Sequence, residues 1–192
     1  MERQATIHAT KGKPIMSPEP TTTAATGKHT TNGVPNGYTS LTPFIVVEPA
    51  QAAIEFYREV FGATVLSVMP GAPKEDGSPT VSHAELDFGN GFLQLSDPQP
   101  GYGLVVADAQ HTNNSIAVYV QDVDAVFARA LERGATAVEQ PADFVSGDRF
   151  ATFVDAFGRR WNVMTRVEDL SREESEHRVT AWLQTFNASG TE

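Results

Sequence analysis

Cysteine is absent from this 192-residue sequence, which excludes disulfides and thiolate chemistry and leaves His, Asp and Glu as metal ligands. Basic residues are few: 14 Lys and Arg oppose 24 Asp and Glu, for a formal net charge of -10. Phosphate backbones and anionic lipid surfaces attract cationic proteins, so this charge argues against nucleic-acid and membrane partners. No apolar run approaches the roughly 20 residues of a membrane span, and no signal-peptide pattern opens the chain. A cytoplasmic protein is expected.

Large apolar residues are scarce in residues 1–36, which are rich in Thr, Pro, Gly, Lys and Ala. Such a segment cannot bury enough surface to offset the entropy lost on ordering, so a disordered tail is predicted. One domain is expected over residues 37–168, followed by a C-terminal helix and short tail over residues 169–192.

A helical apolar stripe predicts that this last helix spans residues 172–186. Its start fits a capping box formed by Ser171 and Glu174. The stripe needs a packing partner, which is either the helix's own domain or a second subunit. Its members are Val179, Trp182, Leu183 and Phe186.

The domain consists of two copies of a β-α-β-β-β pattern, at about residues 38–98 and 113–166. Each predicted helix ends at a glycine, and the same tripeptide, Gly-Ala-Thr, begins there in both copies: Gly62-Ala63-Thr64 and Gly134-Ala135-Thr136. Neither copy buries its sheet alone. The predicted fold class is therefore α+β, with paired βαβββ modules forming a curved, half-open mixed sheet, helices outside and a C-terminal helix. The concave face of the sheet is the expected ligand site.

The predicted elements alternate in the same order in both copies. In the first copy they are a strand at 41–47, a helix at 50–61 and strands at 64–69, 81–88 and 91–96. In the second they are a strand at 116–120, a helix that begins near 123 and strands at 136–139, 149–154 and 160–166.

Several motifs, in the same order, make residues 37–166 resemble the vicinal oxygen chelate superfamily of glyoxalases, bleomycin-resistance proteins and dioxygenases, and its PhnB-like branch in particular. They are Gly37-Tyr38-Thr39-Ser40-Leu41-Thr42-Pro43-Phe44, Ala53-Ile54-Glu55-Phe56-Tyr57, Val60-Phe61-Gly62-Ala63, His83-Ala84-Glu85-Leu86, Leu93-Gln94-Leu95-Ser96-Asp97, Val118-Tyr119-Val120-Gln121-Asp122-Val123-Asp124 and Asp155-Ala156-Phe157-Gly158-Arg159-Arg160-Trp161. The resemblance is specific for the fold and does not define an activity.

The resemblance implies a divalent metal held at four positions, one on each of four inner strands. Those positions fall here on Thr42, Gln94, Ser115 and Asn162. None of the four is His, Asp or Glu, and neutral amides and hydroxyls are poor ligands for zinc and transition metals. The usual metal site is therefore expected to be absent, and no cofactor is predicted.

Side chains alternate between the two faces of a strand, so further residues share a face with these four. Together they predict a cleft with aromatic and weakly polar walls. Phe44 shares a strand face with Thr42, and Tyr119 shares one with Ser115. Arg149 and Arg160 flank the last hairpin, and either could clamp a carboxylate or phosphate. The sequence leaves open which of the two faces inward. All eight side chains are predicted ligand-binding residues.

Three functions remain open at this point. The first is a metal-independent protein that binds a small organic ligand in the concave cleft. The second is a metal-dependent lyase, isomerase or dioxygenase with an atypical metal site at His83 and Glu85, which lie two residues apart on one strand. The third is an assembly protein whose cleft is filled. The resemblance and the stripe of the last helix predict a homodimer in all three.

Overall fold

The computed structural model describes residues 23–107 and 114–189, with side chains up to residue 185. Of the described residues, 23–38 belong to a compact unit separate from the rest of the chain. Within it, strands β1 (Thr30–Thr31) and β2 (Val34–Pro35) pair antiparallel across Asn32 and Gly33, which both adopt positive φ angles. Two such residues favour the tight turn of a hairpin. The predicted disorder covered residues 1–36, of which residues 1–22 lie outside the described part of the chain.

The first βαβββ module contains four strands and one helix. They are β3 (Phe44–Val46), α1 (Ala50–Phe61), β4 (Thr64–Pro70), β5 (Val81–Asp87) and β6 (Phe92–Ser96). The strand order is β3-β6-β5-β4, with β3 and β6 parallel and the other pairs antiparallel.

The second module repeats this topology. Its elements are β7 (Ile116–Tyr119), α2 (Val123–Glu132), β8 (Thr136–Asp143), β9 (Asp148–Val154) and β10 (Arg160–Arg166). The strand order is β7-β10-β9-β8, with β7 parallel to β10. Two four-stranded mixed sheets with helices confirm the predicted α+β class.

Helix α1 has a cap that lies far away in sequence. Its N-cap residue is Pro49, which makes no side-chain cap, and the Asp97 carboxylate accepts the backbone N–H of Ala50 at 3.0 Å instead. The other Asp97 oxygen accepts the N–H of Val81 at 2.7 Å, so one buried carboxylate joins the start of α1 to the start of β5. Helix α2 has a local cap, because Asp122 accepts the N–H of Ala125.

One hydrophobic core joins both modules. It contains Ile54 and Val60 of α1, Phe127 of α2, and residues of both sheets such as Leu95 and Phe153. Polar contacts at its border also cross between the halves: the Arg129 guanidinium on α2 donates to the Val60 carbonyl at 2.9 and 3.2 Å. Each sheet turns one face to this core. Its other face is called the open face below.

The last helix, α3 (Arg172–Ser189), packs on its own domain through Trp182, whose ring meets Phe144 edge-on at 5.1 Å. Ser171 accepts the backbone N–H of Glu174 as the capping box predicts, but the Glu174 carboxylate binds Arg178 rather than returning to Ser171. Trp182 and Leu183 stay 37% and 45% exposed, so the stripe is only partly covered. No helix within the described ranges is long and apolar enough to cross a membrane.

Candidate functional site

A polar and aromatic cluster occupies the open face of the first sheet. Strand pairing aligns Phe44, Gln94 and Glu85 across β3, β6 and β5. Gln94 Nε2 donates to Glu85 Oε1 at 2.8 Å, and His83 Nε2 lies 3.5 Å from the same oxygen. The Phe44 ring stacks on the His83 imidazole with 5.9 Å between centroids. Phe44, His83, Glu85 and Gln94 are called the first-sheet cluster below.

The open face of the second sheet holds another polar group. Pairing aligns Asn162 with Thr152, and Thr152 with Glu139. Asn162 Nδ2 donates to the Ser115 hydroxyl at 3.0 Å, and Thr152 donates to Glu139 at 2.5 Å. Arg160, two residues before Asn162, shares this face, and its guanidinium lies 3.9 Å from Glu139.

The predicted ligand-binding residues therefore fall into two groups. Phe44 and Gln94 belong to the first sheet, whereas Ser115, Asn162 and Arg160 belong to the second. Within the described ranges no hydrogen bond or ion pair joins these two groups. Thr42 precedes β3 and donates to the nearby carbonyl of Thr39, at 3.4 Å.

The two arginines take different places. Arg149 lies on the same face of β9 as the core-facing Ala151. It forms ion pairs of 2.7 Å with Asp124 on α2 and of 3.0 Å with Asp143. Its hydrogen bonds lower the pKa of the Asp124 carboxyl. Arg160 is thus the arginine on an open face, and Arg149 ties β9 to the first turn of α2.

A cavity of about 500 Å³ lies where the two halves of the domain meet. Buried Trp161 and Leu93 contribute to its wall together with exposed Leu41 and Tyr119. Of the eight predicted ligand-binding residues, only Tyr119 lines it. The full lining is Thr39, Leu41, Pro43, Phe88, Asn90, Gly91, Phe92, Leu93, Ile116, Ala117, Val118, Tyr119 and Trp161.

The sequence prediction missed most of this lining because it extended the family's four metal positions along the strand faces. The cavity forms instead between residues 39–43, residues 88–93 and strand β7, which are far apart in sequence. Its mostly apolar lining resembles that of ligand pockets in general, in which a few polar groups orient the ligand.

A buried carboxylate at Asp155 joins the two modules beside the cavity. Asp155 Oδ2 accepts hydrogen bonds from the Tyr57 hydroxyl at 2.9 Å and from the Trp161 indole at 2.8 Å. Its Oδ1 accepts the backbone N–H groups of Phe157 and Arg159. Burial raises the pKa of Asp155, while the hydrogen bonds from Trp161, Arg159, Tyr57 and Phe157 act in the opposite direction. Burial and the adjacent carboxylate raise the pKa of Tyr57 well above its usual value.

Arg159 adds a second link between the halves. Its side chain is buried and donates to the Asn114 side chain at 3.1 Å and to the Val46 carbonyl at 3.3 Å. The predicted turn at 155–158 is present, with Gly158 at a φ of 79°. Its further role in holding α1 and β3 to the second sheet was not evident from the turn pattern.

The residues at the family's metal positions do not fit a transition metal. They offer two hydroxyls and two neutral amides, and both amide nitrogens are turned to neighbouring side chains of the protein, Glu85 and Ser115. In the part of the chain that the structure describes, no three His, Asp or Glu side chains come together as a metal site. Among the residues that the structure describes, His83 and Glu85 form a pair and not a three-residue ligand set.

Comparison with known proteins identifies the family. The model of the Glyoxalase/Bleomycin resistance protein/Dioxygenase superfamily matches residues 37–163. An uncharacterised protein of Mycobacterium bovis is 36% identical over 140 residues, which cover 70% of this chain and 88% of that protein.

Two solved structures are similar in fold. TioX from Micromonospora sp. ML1 has a TM-score of 0.52 and 26% identity, over 67% of this chain and 98% of TioX. The PhnB protein of Bacillus cereus has a TM-score of 0.50 and 19% identity, over 66% of this chain and 99% of that one. The family match, together with the paired βαβββ modules, shows that this chain belongs to the glyoxalase/bleomycin resistance protein/dioxygenase superfamily.

Proposed function

We propose that this protein binds a small organic ligand in the cavity between its two modules, without a metal at the family's four positions. The cavity carries the proposal. Its volume of about 500 Å³ lies within the roughly 300–1,000 Å³ of small-molecule sites, and aromatic and aliphatic side chains make most of its wall. Apolar burial would provide most of the affinity, and the polar groups of the two open faces would orient the ligand.

The chemistry of the four carried-over positions supports binding over metal-assisted catalysis. Lewis-acid activation of vicinal oxygens needs anionic or imidazole ligands to hold the ion. Thr42, Gln94, Ser115 and Asn162 provide neither. A sequestering or resistance protein, which holds a ligand without changing it, is the function that these residues favour.

One observation favours a second candidate, a metal-dependent lyase, isomerase or dioxygenase with an atypical site. His83 Nε2 and Glu85 Oε1 are 3.5 Å apart, so both side chains could reach one ion. Elemental mass spectrometry separates the two candidates. About one equivalent of metal that survives dialysis and is lost in His83→Ala would support the enzyme, and less than about a tenth of an equivalent would support the binding protein. The third candidate, a filled cleft, is disfavoured by the cavity itself.

Filling the cavity tests the binding proposal. Ala117 lines the cavity on exposed edge strand β7, so Ala117→Phe should occupy the space without disturbing the core. The probe is N-phenyl-1-naphthylamine, a neutral dye whose fluorescence rises in apolar surroundings. We expect saturable binding to the wild type and at least tenfold weaker binding to Ala117→Phe.

Ala137→Phe is the matched control, because Ala137 is also exposed on an edge strand of the second sheet, yet lies outside the cavity. This variant should bind the dye like the wild type. Thermal melts of both variants confirm that they fold. The proposal is wrong if the wild type shows no saturable binding, or if Ala117→Phe and Ala137→Phe bind equally.

A further inference from the structure

The wall of the cavity is uncharged: of the described residues that line it, none is Asp, Glu, Lys, Arg or His. Its polar side chains are those of Thr39, Asn90 and Tyr119, and Phe88 and Phe92 add two further aromatic rings. A charged group that enters such a space loses water and gains no counter-ion from the wall, which makes its transfer unfavourable. The lining therefore favours a ligand whose buried part is aromatic and uncharged.

Arg160 lies on the open face that borders the cavity, but its guanidinium is turned away from it. The strand order of the second sheet is β7-β10-β9-β8, and Arg160 is on β10. Its guanidinium lies 3.9 Å from Glu139, on β8, whereas the cavity residues Ala117 and Tyr119 are on β7, at the other side of β10. An anionic ligand in the cavity therefore gains no contact with this cation.

The carboxylates of the first sheet are hydrogen-bonded within the protein. Asp87 Oδ1 accepts the backbone N–H of Gly89 at 2.7 Å, and Glu85 Oε1 accepts from Gln94 at 2.8 Å. Their negative charge opposes the approach of an anionic ligand. Neither carboxylate lines the cavity, so an ammonium group inside it gains no direct contact with them. Both signs of ligand charge are thus disfavoured within the cavity.

A neutral hydrogen-bonding pair, Ser115 and Asn162, borders the cavity on the second sheet. Asn162 lies opposite Ala117 in the parallel pairing of β10 with β7, and Ala117 lines the cavity. Ser115 comes two residues before Ala117, so it lies on the same face, roughly 7 Å along the strand. Because the Ala117 side chain is a single methyl group, it leaves the pair accessible to a polar group of a ligand in the cavity.

The Ser115–Asn162 pair can form further hydrogen bonds. An amide NH₂ has two N–H donors, and a hydroxyl has one donor and two lone pairs. The bond from Asn162 Nδ2 to the Ser115 hydroxyl, 3.0 Å long, uses one N–H and one lone pair. The second N–H and the hydroxyl hydrogen are left for other bonds. A carbonyl or hydroxyl group suits this pair, whereas neither member can neutralise a charge.

We propose that the ligand is an uncharged aromatic molecule, whose rings occupy the cavity and whose carbonyl or hydroxyl group bonds the Ser115–Asn162 pair. This inference rests on the proposed binding function and adds the charge of the ligand and the pair that selects its polar group. Asn162 is the specificity-determining residue, because its amide accepts a neutral polar group next to Ala117.

Three naphthalenes with different polar ends test the ligand class. They are 1-naphthylmethanol, which is uncharged; 1-naphthylmethylamine, a cation; and 1-naphthoate, an anion. Displacement of N-phenyl-1-naphthylamine measures their binding at neutral pH, in about 150 mM salt, which screens the charges outside the cavity. We expect the alcohol to bind at least tenfold more tightly than either the amine or naphthoate.

Asn162→Asp keeps the shape of the side chain and adds a negative charge next to Ala117. The preference for the alcohol over the amine should fall at least tenfold. Gln140→Glu is the matched control, because it makes the same amide-to-carboxylate change at an exposed residue of the second sheet, outside the cavity. It should keep the preference. Ser115→Asp adds the charge at an exposed residue before β7, so the result does not depend on the stability of Asn162→Asp.

The outcomes separate this inference from the proposed function. If the dye itself does not bind, the binding function is wrong. If the dye binds but the alcohol does not displace it, or a charged naphthalene binds as tightly as the alcohol, the binding function stands and the ligand class is wrong. If neither Asn162→Asp nor Ser115→Asp changes the preference more than Gln140→Glu does, the Ser115–Asn162 pair does not select the ligand.

Discussion

Two aspartates at matching hairpin positions show which hydrogen bonds the local sequence predicts and which depend on the fold. Asp87 is the last residue of β5 and Asp155 directly follows β9, and each accepts a backbone hydrogen bond from the residue two positions later. The sequence predicts this turn chemistry at Asp155 because it is local. Only the fold shows that Asp155 is buried and also bonds Tyr57, because Tyr57 lies 98 residues away in the chain.

Replacing Asp155 with Asn should destabilise the protein by about 2–4 kcal/mol. All four partners of the carboxylate are donors, so the amide NH₂ of Asn must face either the Trp161 indole N–H or two backbone N–H groups. Asp87→Asn is the matched control and should cost less than about 1 kcal/mol, because Asp87 is only half-buried. Urea unfolding measures the free energy of unfolding of both variants. Equal losses would contradict a stabilising role for the buried hydrogen bonds of Asp155.

At the scale of elements, local patterns predict helices well and strand ends less well. Helix α1 begins and ends as its apolar spacing and Gly62 predict, at residues 50–61. The strand predicted at 41–47 is shorter, with β3 at Phe44–Val46, since Pro43 cannot donate to a ladder. The strand predicted at 136–139 is longer. It continues to Asp143 past Pro141, because the pairing with β9 shifts register there and tolerates a proline.

The turn between β8 and β9 depends on Gly147. This residue has a φ of 84°, and a Cβ there would lie 2.7 Å from the Leu170 side chain, which comes from the segment before α3. Gly147→Ala should destabilise the protein by about 2–4 kcal/mol, because a backbone penalty of roughly 1–2 kcal/mol adds to the displaced contact. Thermal and urea unfolding give the value.

Gly77 provides the control for this substitution. It closes a turn with the same hydrogen bond to the residue three positions earlier, and its φ is 82°, but a Cβ there would meet nothing within 4 Å. Gly77→Ala should therefore show the backbone penalty alone, about 1–2 kcal/mol. A loss at Gly147 no larger than the loss at Gly77 would mean that the contact with Leu170 adds nothing.

For the whole molecule, the fold was predictable and the cavity was not. The repeated β-α-β-β-β order and the family motifs are properties of the linear sequence, and they indicate two matched sheets. The cavity arises where residues 39–43 and 88–93 approach strand β7, and that depends on how the halves dock. The alternation of side chains along the strands predicts the open faces. It does not predict that Gln94 and Asn162 belong to separate hydrogen-bonded groups.

We propose that the protein is a homodimer, as its family resemblance suggests. On the last helix, Trp182 and Leu183 are 37% and 45% exposed, so part of its apolar stripe can pack against a second subunit. Exclusion chromatography with light scattering at about 10 µM should give twice the 20.7 kDa of one chain. Leu183→Glu should shift the mass towards the monomer, while Leu66→Glu, at a similarly exposed leucine of β4, should not. A monomeric wild type would contradict the proposal.

The contacts of Tyr57 and Arg129 have a consequence for how the two repeats diverged. Each residue lies five positions before the glycine that follows its helix, Gly62 or Gly134, so the two are counterparts. Each reaches into the opposite half, Tyr57 to Asp155 and Arg129 to the Val60 carbonyl. One repeat offers a phenol and the other a guanidinium, and each has an acceptor suited to it. The halves have thus become complementary rather than interchangeable, and a chain assembled from two copies of either half would lack one of these pairs.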